Sequence, residues 1–533
     1  MERFLTARHA LALVAMATLW RLYLSATLQL HPDEAYYWLW SRHLDLGYFD
    51  HPPMVAYFIR LSTLVSQSEL WVRLSGALVM LLLSGLMWQL ALQLFRSVPV
   101  AAGSVMLFNL YPLTLLGMLV ITPDVPVLLF WGLGVYLFWH TMRTRQAWLW
   151  YPLGLCFGLA LWSKYTALLL PVCLLLYLLL SEDRWWLKTR HPYLAALLGL
   201  ACFVPVVLWN SRNGWVSFAF QLNNGLGGAR LQPAGVAEYT AGQLLLVGPL
   251  VWLAGMAASL RTLRQRERET LLLVCTAVPV ILFFGLSSLR KVAGANWPAF
   301  AYFSFSILVA HYCLRTSAGW RRGLWVACAA LSLALALVAT LQARFGLLAL
   351  ERYAPQLAAA DATNGFHGWR ELGAALKRYA DRSVAIAPSH QLGAEIIYYT
   401  DGQLPSAMAR GTRPSQFDLL QAPDPAQTKN RIYVWTDADA PGTEAGRLQL
   451  LPALQTYRDG HALRGYTMAW QRALRAPDAA DLTALGPVCE FAKQAAMDVC
   501  ATDLVIASVH PKVWRHKAYS PTRLAPRPSA RPP

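Results

Sequence analysis

The sequence predicts an α-helical protein that spans a membrane about eleven times and carries an α/β domain after its last span. Hydrophobic residues make up 56% of the 533-residue chain and charged residues only 14%, whereas soluble domains average about 25% charged residues. Several stretches without a charge also reach about 20 residues, long enough to cross the roughly 30 Å of hydrocarbon in a bilayer. These observations exclude a soluble, a disordered or a disulfide-stabilised small protein.

Eleven apolar segments are candidate membrane spans. The first is longer than the apolar core of a cleavable signal peptide and lacks a small-residue cleavage site after it, so we interpret it as a membrane helix. The fifth and sixth spans are separated by a short break at Trp162-Ser163-Lys164-Tyr165. The predicted spans are residues 9–29, 72–95, 100–121, 125–142, 147–163, 165–180, 192–209, 242–260, 270–287, 297–314 and 323–342.

Lys and Arg in the short loops predict the orientation, because cytoplasmic loops are enriched in both. With the N-terminus inside, the inside loops hold 15 of these residues and the opposite short loops hold 5. This places the N-terminus in the cytoplasm and three segments outside, residues 30–71, 210–241 and 343–533. Since much of the net charge of +17 lies in the inside loops, we expect no nucleic-acid partner.

The chain therefore divides into a membrane domain over residues 1–342 and an outer, periplasmic α/β domain over 343–519. The final stretch, 520–533, is rich in Pro, Arg and Ser, a composition that predicts disorder. Cys489 and Cys500 would face an oxidising compartment, where a disulfide and two free thiols are both open.

Alternating and helical patterns support the α/β domain. Residues 384–387 and 431–435 are strand-like runs of apolar and β-branched side chains. Residues 369–379 show the spacing of an amphipathic helix. A mixture of both patterns after the last span predicts a small α/β unit.

The first outward loop carries the densest group of polar residues. Asp33 and Glu34 directly follow the first span, and carboxylates beside a membrane are costly unless they are solvated, paired or functional. The alternative is structural, because Pro32 and Asp33 can begin a helix whose dipole favours Glu34. The aromatic residues that follow are interpreted mostly as an interfacial belt, and these are Tyr36, Tyr37, Trp38 and Trp40.

Asp50 and His51 form a second acid and base in this loop, before the rigid Pro52–Pro53 turn. Both are ligand types for a divalent metal. Two ligands without a third do not specify a metal site, and a polar brace within the loop is the alternative.

Other charged residues lie at the same predicted face of the membrane. Asp124 is either a further acid of the same cavity or the cap of the fourth span. Lys164, Arg290 and Lys291 are groups that can bind a phosphate, or they snorkel to the membrane surface.

The string HPDEAYYWLWSRHLDLGYFDHPP, residues 31–53, resembles the bacterial protein-mannosyltransferase-like membrane glycosyltransferases, which have the C-type glycosyltransferase fold. Their relatives include the aminoarabinose transferases of lipid A and the galacturonosyltransferases of the lipopolysaccharide core. The resemblance covers about residues 10–315. Further matching strings occur in order, namely Thr122-Pro123-Asp124, Ser163-Lys164-Tyr165-Thr166, Pro205 to Asn210 with Gly214-Trp215, and Lys291 to Pro298. Fainter ones follow at 368–372 and 415–418.

This resemblance implies an inverting glycosyltransferase that uses a polyprenyl-phosphate sugar outside the bacterial cytoplasmic membrane. The acceptor would be lipid A, lipopolysaccharide core, a polysaccharide or a protein hydroxyl. By resemblance, Asp33 is the catalytic base or acceptor-orienting acid, Glu34 is its partner, and Asp124 is a further acid of the cavity.

Asp50 and His51 match an acid–base pair that relatives carry near the donor phosphate or a metal. The aminoarabinose transferases have Glu-Lys there, which argues against that sugar. His51 joins Lys164, Arg290 and Lys291 as a predicted donor-phosphate ligand, because cations stabilise the leaving phosphate. Asp50 and His51 are also the predicted ligands if a divalent metal is required.

Two other functions are open from the sequence. One is a transporter or flippase of a lipid-linked sugar, although transporters usually show repeats and polar residues near the bilayer midplane. The other is a non-catalytic, lectin-like assembly protein, which would tolerate substitutions at Asp33 and Asp124.

Overall fold

The structure is a computed structural model, and most of the chain up to Arg472 is helical. Its description covers residues 5–227, 231–315, 318–354, 357–358, 361–380, 383–409, 412–420, 430–436, 448–458 and 460–472. Cys489, Cys500 and the predicted tail at 520–533 lie outside these residues.

Eighteen helices are numbered here along the described residues. Helices α1 to α10 are Ala7–Thr27, Pro32–Arg42, Met54–Ser62, Glu69–Phe95, Val98–Leu110, Asp124–Thr144, Trp150–Ser163, Leu169–Leu180, His191–Arg212 and Val216–Leu226. Helices α11 to α18 are Pro233–Val247, Pro249–Gln265, Arg268–Ser287, Ala301–Leu314, Gly319–Phe345, Leu350–Tyr353, Trp369–Lys377 and His390–Tyr399.

The described residues contain six helices long and apolar enough to cross a membrane, namely α1, α4, α6, α9, α13 and α15. Two bent helix pairs raise this to eight if each is one span. Three more helices are apolar but shorter, around α5, α7 and α14. A multi-pass membrane protein is therefore confirmed, and the count of eleven spans is not.

Each predicted span overlaps a helix, but the predicted span at 242–260 is not one straight helix. Helices α11 and α12 meet there at an angle of 104°. The break falls at Gly248, whose φ of +106° suits glycine, and at Pro249, which has no N–H to continue the hydrogen-bond ladder.

The predicted α/β pattern after the last span is confirmed in the described residues. Strands β1 to β6 are Ser383–Ala387, Ser406–Met408, Asn430–Thr436, Gln449–Leu450, Leu454–Arg458 and His461–Arg472. The strand order is β2-β1-β3-β6-β4, and β5 also pairs with β6. Strand β1 runs parallel to β2 and β3, whereas β6 is antiparallel to its partners. Helices α17 and α18 pack on this sheet through Leu372 and Ile396.

Helix α18 joins the sheet to the first outward loop. Tyr398 stacks edge-on against Trp38, with ring centroids 4.9 Å apart, and its hydroxyl donates to the carbonyl of Gln67 at 2.7 Å. The hydroxyl of Tyr399 accepts from the N–H of Leu30 at 2.7 Å. These contacts place the sheet directly over α2, the helix that carries Asp33 and Glu34.

Candidate active site

Helix α2 begins with a cap made by the residues predicted to be functional. His31 Nδ1 accepts from the N–H of Asp33 at 3.4 Å, and the Glu34 carboxylate accepts from the N–H of His31 at 2.8 Å. Pro32 occupies the first helical turn, where its missing N–H costs nothing. The helix begins at Pro32 with Glu34 in its first turn, as the structural alternative expected, but its N-cap is His31 and not Asp33. The side chain of Asp33 is therefore available for another role.

Asp33 is exposed at the head of α2. Its side chain is 43% accessible, and the nearest ionisable nitrogen is His31 Nδ1 at 3.9 Å. A carboxylate in this position can accept a proton from a ligand hydroxyl without first breaking a strong ion pair.

Glu34 has the opposite environment. It is fully buried against the fully buried Arg73, whose Nε donates to the carboxylate at 2.9 Å and 3.1 Å. The N–H of Ile121 donates to it at 3.0 Å. Arg73 also donates to the carbonyls of Leu28 and Gln29. This pair ties α1, α2, α4 and the segment before α6 together, so Glu34 is a buried anchor of the loop.

Asp124 and Lys164 form a second buried ion pair. Lys164 Nζ lies 2.6 Å from Asp124 Oδ1, and both side chains are less than a tenth exposed. Asn296 Nδ2 donates to the other carboxylate oxygen at 2.8 Å, and Lys164 Nζ lies 5.6 Å from the ring centroid of Trp297. Two separate segments, one with Lys164 and one with Asn296 and Trp297, therefore converge on the start of α6.

Asp50 connects the first loop to the sheet domain. Its carboxylate accepts from the Tyr36 hydroxyl at 2.8 Å and from Arg413 at 2.8 Å. Burial raises the pKa of Asp50, and the charge of Arg413 and these two hydrogen bonds oppose the rise. Gln221 Nε2 donates to the Asp50 carbonyl at 2.6 Å and lies 3.2 Å from His51 Nδ1.

The residues around Asp50 do not fit a divalent metal. Arg413 and Tyr36 occupy both carboxylate oxygens, so a positive charge already stands where the cation would bind. In the part of the chain that the structure describes, no group of three or more His, Cys, Asp or Glu side chains could hold a metal. The alternative, in which Asp50 and His51 hold the loop in place through polar contacts, fits these residues better.

Burial and the charges of Lys164 and Arg413 lower the pKa of His51 to about 3. The imidazole is therefore neutral at physiological pH, and it can offer a phosphate one N–H donor but no charge.

Tyr37 is a buried residue of α2. Its pKa is raised first by burial and then by the charges of Asp33, Asp50 and Asp124, whereas Arg413 lowers it. Hydrogen bonds place α2 beside the segments of the other two acids, since Tyr36 donates to Asp50 and the N–H of Ile121, three residues before Asp124, donates to Glu34. The interfacial-belt interpretation is wrong for the aromatic residues of α2, because Tyr36, Tyr37, Trp38 and Trp40 are all buried.

Arg290 and Lys291 lie at the exposed end of α13. Lys291 Nζ donates to Asn224 Oδ1 at 2.6 Å. The described hydrogen bonds and ion pairs do not join either residue to the three acids, although the same segment supplies Asn296 to Asp124.

Sequence reasoning missed three of the charged or polar partners. Arg73 was assigned to the second span, and Arg413 received no role. Asn296 appeared only within the string after Lys291. An arginine inside an apolar span is costly unless it is paired, so Arg73 was a signal for the anchor of Glu34. No local signal links Arg413 to Asp50, because 363 residues separate them.

Known proteins resemble this chain in sequence and in fold. Residues 50–209 match the family described as dolichyl-phosphate-mannose-protein mannosyltransferase. ArnT from Cupriavidus metallidurans, in the crystal structure with bound undecaprenyl phosphate, superposes with a TM-score of 0.61 at 16% identity. The superposition covers 87% of this chain and 98% of that one. This protein has the C-type glycosyltransferase fold. The apo structure of the same ArnT gives a TM-score of 0.59 at 18% identity, over 86% and 97% of the two chains.

Lipid A galacturonosyltransferase RgtD from Rhizobium johnstonii is a sequence relative. It is 29% identical over 321 residues, which are 56% of this chain and 64% of RgtD. The chain thus covers just under two thirds of RgtD. Together with the family match, this relative and the C-type fold confirm the resemblance predicted from the motifs.

Proposed function

We propose that the protein is a glycosyltransferase that moves a sugar from a polyprenyl-phosphate donor to an acceptor of the cell envelope. One observation carries the proposal. The C-type fold holds a partly exposed carboxylate, Asp33 on α2, and a buried lysine, Lys164, that is paired with Asp124. A hydrogen bond joins α2 to Ile121, three residues before Asp124. A base and a phosphate-binding cation are what such a transfer needs. The names of the relatives support the substrates, since RgtD is a lipid A galacturonosyltransferase and the ArnT crystal holds undecaprenyl phosphate.

In the proposed reaction, Asp33 accepts the proton of the acceptor hydroxyl as its oxygen attacks the anomeric carbon. The bond between that carbon and the phosphate oxygen breaks, and polyprenyl phosphate leaves with the electron pair. Attack opposite the leaving group inverts the anomeric configuration. General-base assistance of this kind is worth about 10²–10⁴-fold in rate.

The other predicted residues support these two groups. Lys164 binds the leaving phosphate, and Asp124 with Asn296 holds the ammonium in place. Glu34 positions Asp33 through its anchor on Arg73. His51 donates an N–H to the phosphate, and the exposed Arg290 and Lys291 attract the donor headgroup from the membrane surface.

The proposed location is the bacterial inner membrane, with the N-terminus in the cytoplasm and the domain over 343–519 in the periplasm. This orientation rests on the distribution of Lys and Arg in the loops. It places Asp33 on the periplasmic side of the membrane, where lipid A would be glycosylated. The partners are a lipid-linked sugar donor, a lipid or glycan acceptor and the membrane lipids. Neither a nucleic acid nor a metal ion enters the proposed reaction.

The test is donor cleavage by the purified protein in detergent. Polyprenyl-phosphate sugars are supplied as a panel with lipid A, and free polyprenyl phosphate is measured by mass spectrometry. We expect one donor to react with the wild type and the Asp33→Asn variant to be slower by about 10²-fold or more. Asp401→Asn is the matched control, because Asp401 is 70% exposed and pairs only with Lys377 at the surface.

Equal rates in wild type and Asp33→Asn would remove Asp33 as the base. If no donor in the panel is cleaved, the enzymatic function is contradicted and a lipid-linked-sugar flippase becomes the better function. Donor movement across vesicles without cleavage would then be measured.

A further inference from the structure

A basic cavity lies at the face of the membrane domain opposite the candidate active site. Helix α6 begins at Asp124 in the site, and Arg143 near its other end lines the cavity. With a rise of about 1.5 Å per residue, the two are roughly 28 Å apart along the helix. Helix α4 connects the same two regions, from Arg73 beside Glu34 to Arg96 at the cavity. The cavity is therefore separate from the proposed transfer chemistry.

The cavity has a volume of about 610 Å³, in the range that holds a small ligand. Its charged lining consists of six arginines together with two glutamates, Glu267 and Glu269. The arginines come from the ends of six different helices and are Arg96, Arg143, Arg261, Arg268, Arg315 and Arg321. Such convergence leaves an uncompensated positive charge in a concave surface.

Within the described residues, only one of these six arginines forms an ion pair with an acidic side chain. Arg268 donates to both oxygens of Asp183, at 2.8 Å each. Arg261 donates to Gln265. Among the described residues, the guanidinium groups of Arg96, Arg143 and Arg315 have no hydrogen bond or ion pair, so they are available for a ligand.

Arg321 provides independent evidence that the cavity could bind an anion. Its Nε is buried and has no hydrogen-bond partner within the described part of the chain. Its guanidinium lies 4.4 Å from the ring centroid of Tyr312, which also lines the cavity. A buried donor without a partner costs about 1–3 kcal/mol, and an anion in the cavity would satisfy it.

Arginines at the cytoplasmic ends of helices are common in membrane proteins, and topology alone would explain exposed ones. It does not explain a buried unpaired donor, or a lining that holds six arginines and no lysine. The planar guanidinium matches phosphate through two parallel hydrogen bonds, whereas lysine offers a point charge.

We propose that this cavity binds a phosphate-bearing anion at the face opposite the transfer site. The phosphate belongs either to the headgroup of an anionic phospholipid or to a soluble phosphate compound. The site is independent of the proposed glycosyl transfer.

The test compares two triple variants that remove the same charge. The cavity variant is R96Q/R143Q/R315Q. The control is R184Q/R190Q/R264Q, which replaces three exposed arginines outside the cavity lining. Full-length protein in detergent is titrated with phosphatidylglycerol and, in a second arm, with inorganic pyrophosphate. Native mass spectrometry counts the bound lipid, and calorimetry measures the pyrophosphate.

We expect the affinity for one probe to fall about tenfold or more in the cavity variant and less than twofold in the control, because charge-assisted hydrogen bonds to phosphate are lost. Loss of phosphatidylglycerol binding identifies a lipid headgroup, and loss of pyrophosphate binding identifies a soluble phosphate. Equal losses in both triple variants, or no cavity-dependent binding of either probe, would overturn the proposal. Melting temperatures of both variants establish that they fold.

Discussion

Asp33 and Glu34 are adjacent acids with opposite environments. The side chain of Asp33 is 43% exposed, whereas that of Glu34 is fully buried against Arg73. Side chains at neighbouring positions of a helix point about 100° apart, so Asp33 is accessible while Glu34 faces the protein interior. From the sequence alone both acids were predicted to be catalytic, because the sequence does not show which face of α2 is buried by the rest of the protein.

The Glu34–Arg73 pair makes a residue-scale prediction. Glu34→Gln leaves a buried guanidinium without its counter-charge, a change that costs about 3–5 kcal/mol. We expect a large fall in melting temperature in detergent. The double variant Glu34→Gln/Arg73→Met removes both charges and should recover part of the loss. If Glu34→Gln melts with the wild type but loses transfer, Glu34 is catalytic after all.

A second residue-scale prediction separates the two lysines proposed to bind the donor phosphate. Lys164 is buried in the site, whereas Lys291 is exposed. Exposed charges are screened by solvent and contribute little. We therefore expect Lys164→Met to weaken polyprenyl-phosphate binding by about tenfold or more, and Lys291→Met by about twofold. Binding is measured by native mass spectrometry, and the reverse order would contradict the assignment of Lys164.

At the scale of elements, α18 carries a buried acid where the sheet domain meets the first loop. Glu395 is buried, and neither carboxylate oxygen has a hydrogen-bond partner among the described residues. Burial raises its pKa well above 4.5. The charges of Glu34 and Glu69 raise it further, while those of Arg464 and Arg73 lower it.

This raised pKa gives stability a defined pH dependence. The folded protein holds the proton of Glu395 more tightly than the unfolded chain. Its contribution is therefore full below about pH 4.5 and is lost as the pH rises toward the folded-state value. We expect Glu395→Gln to show a smaller fall in melting temperature from pH 5 to pH 8 than the wild type. Glu371→Gln, an exposed acid on α17, is the control and should keep the wild-type slope.

Elements were predicted well where one physical rule dominates. A bilayer requires about 20 apolar residues per helix, so the long helices α1, α4, α9 and α15 were read from hydropathy. The break at Gly248 was missed because the apolar composition continues across it. The aromatic residues of α2 were misassigned because the sheet domain that covers them was not visible from composition.

At the scale of the whole molecule, the site is built from distant segments. Asp33 lies on α2, Asp124 on α6 and Lys164 after α7, while Asn296 and Arg413 come from later segments. Motif resemblance predicted roles for the acids and Lys164, because each stands in a short recognisable string. Pairings such as Asp50 with Arg413 depend on the folded packing of the sheet domain over the loop, which no local pattern encodes.

The central proposal is that this site transfers a sugar from a lipid phosphate with Asp33 as the base. The most direct measurement is the mass and anomeric configuration of the glycosylated acceptor, made by wild type and Asp33→Asn protein in lipid nanodiscs. We predict a product of inverted configuration from the wild type and at least about 10²-fold less from Asp33→Asn, with donor binding unchanged. A product of retained configuration, or full activity of Asp33→Asn, would contradict the proposed mechanism.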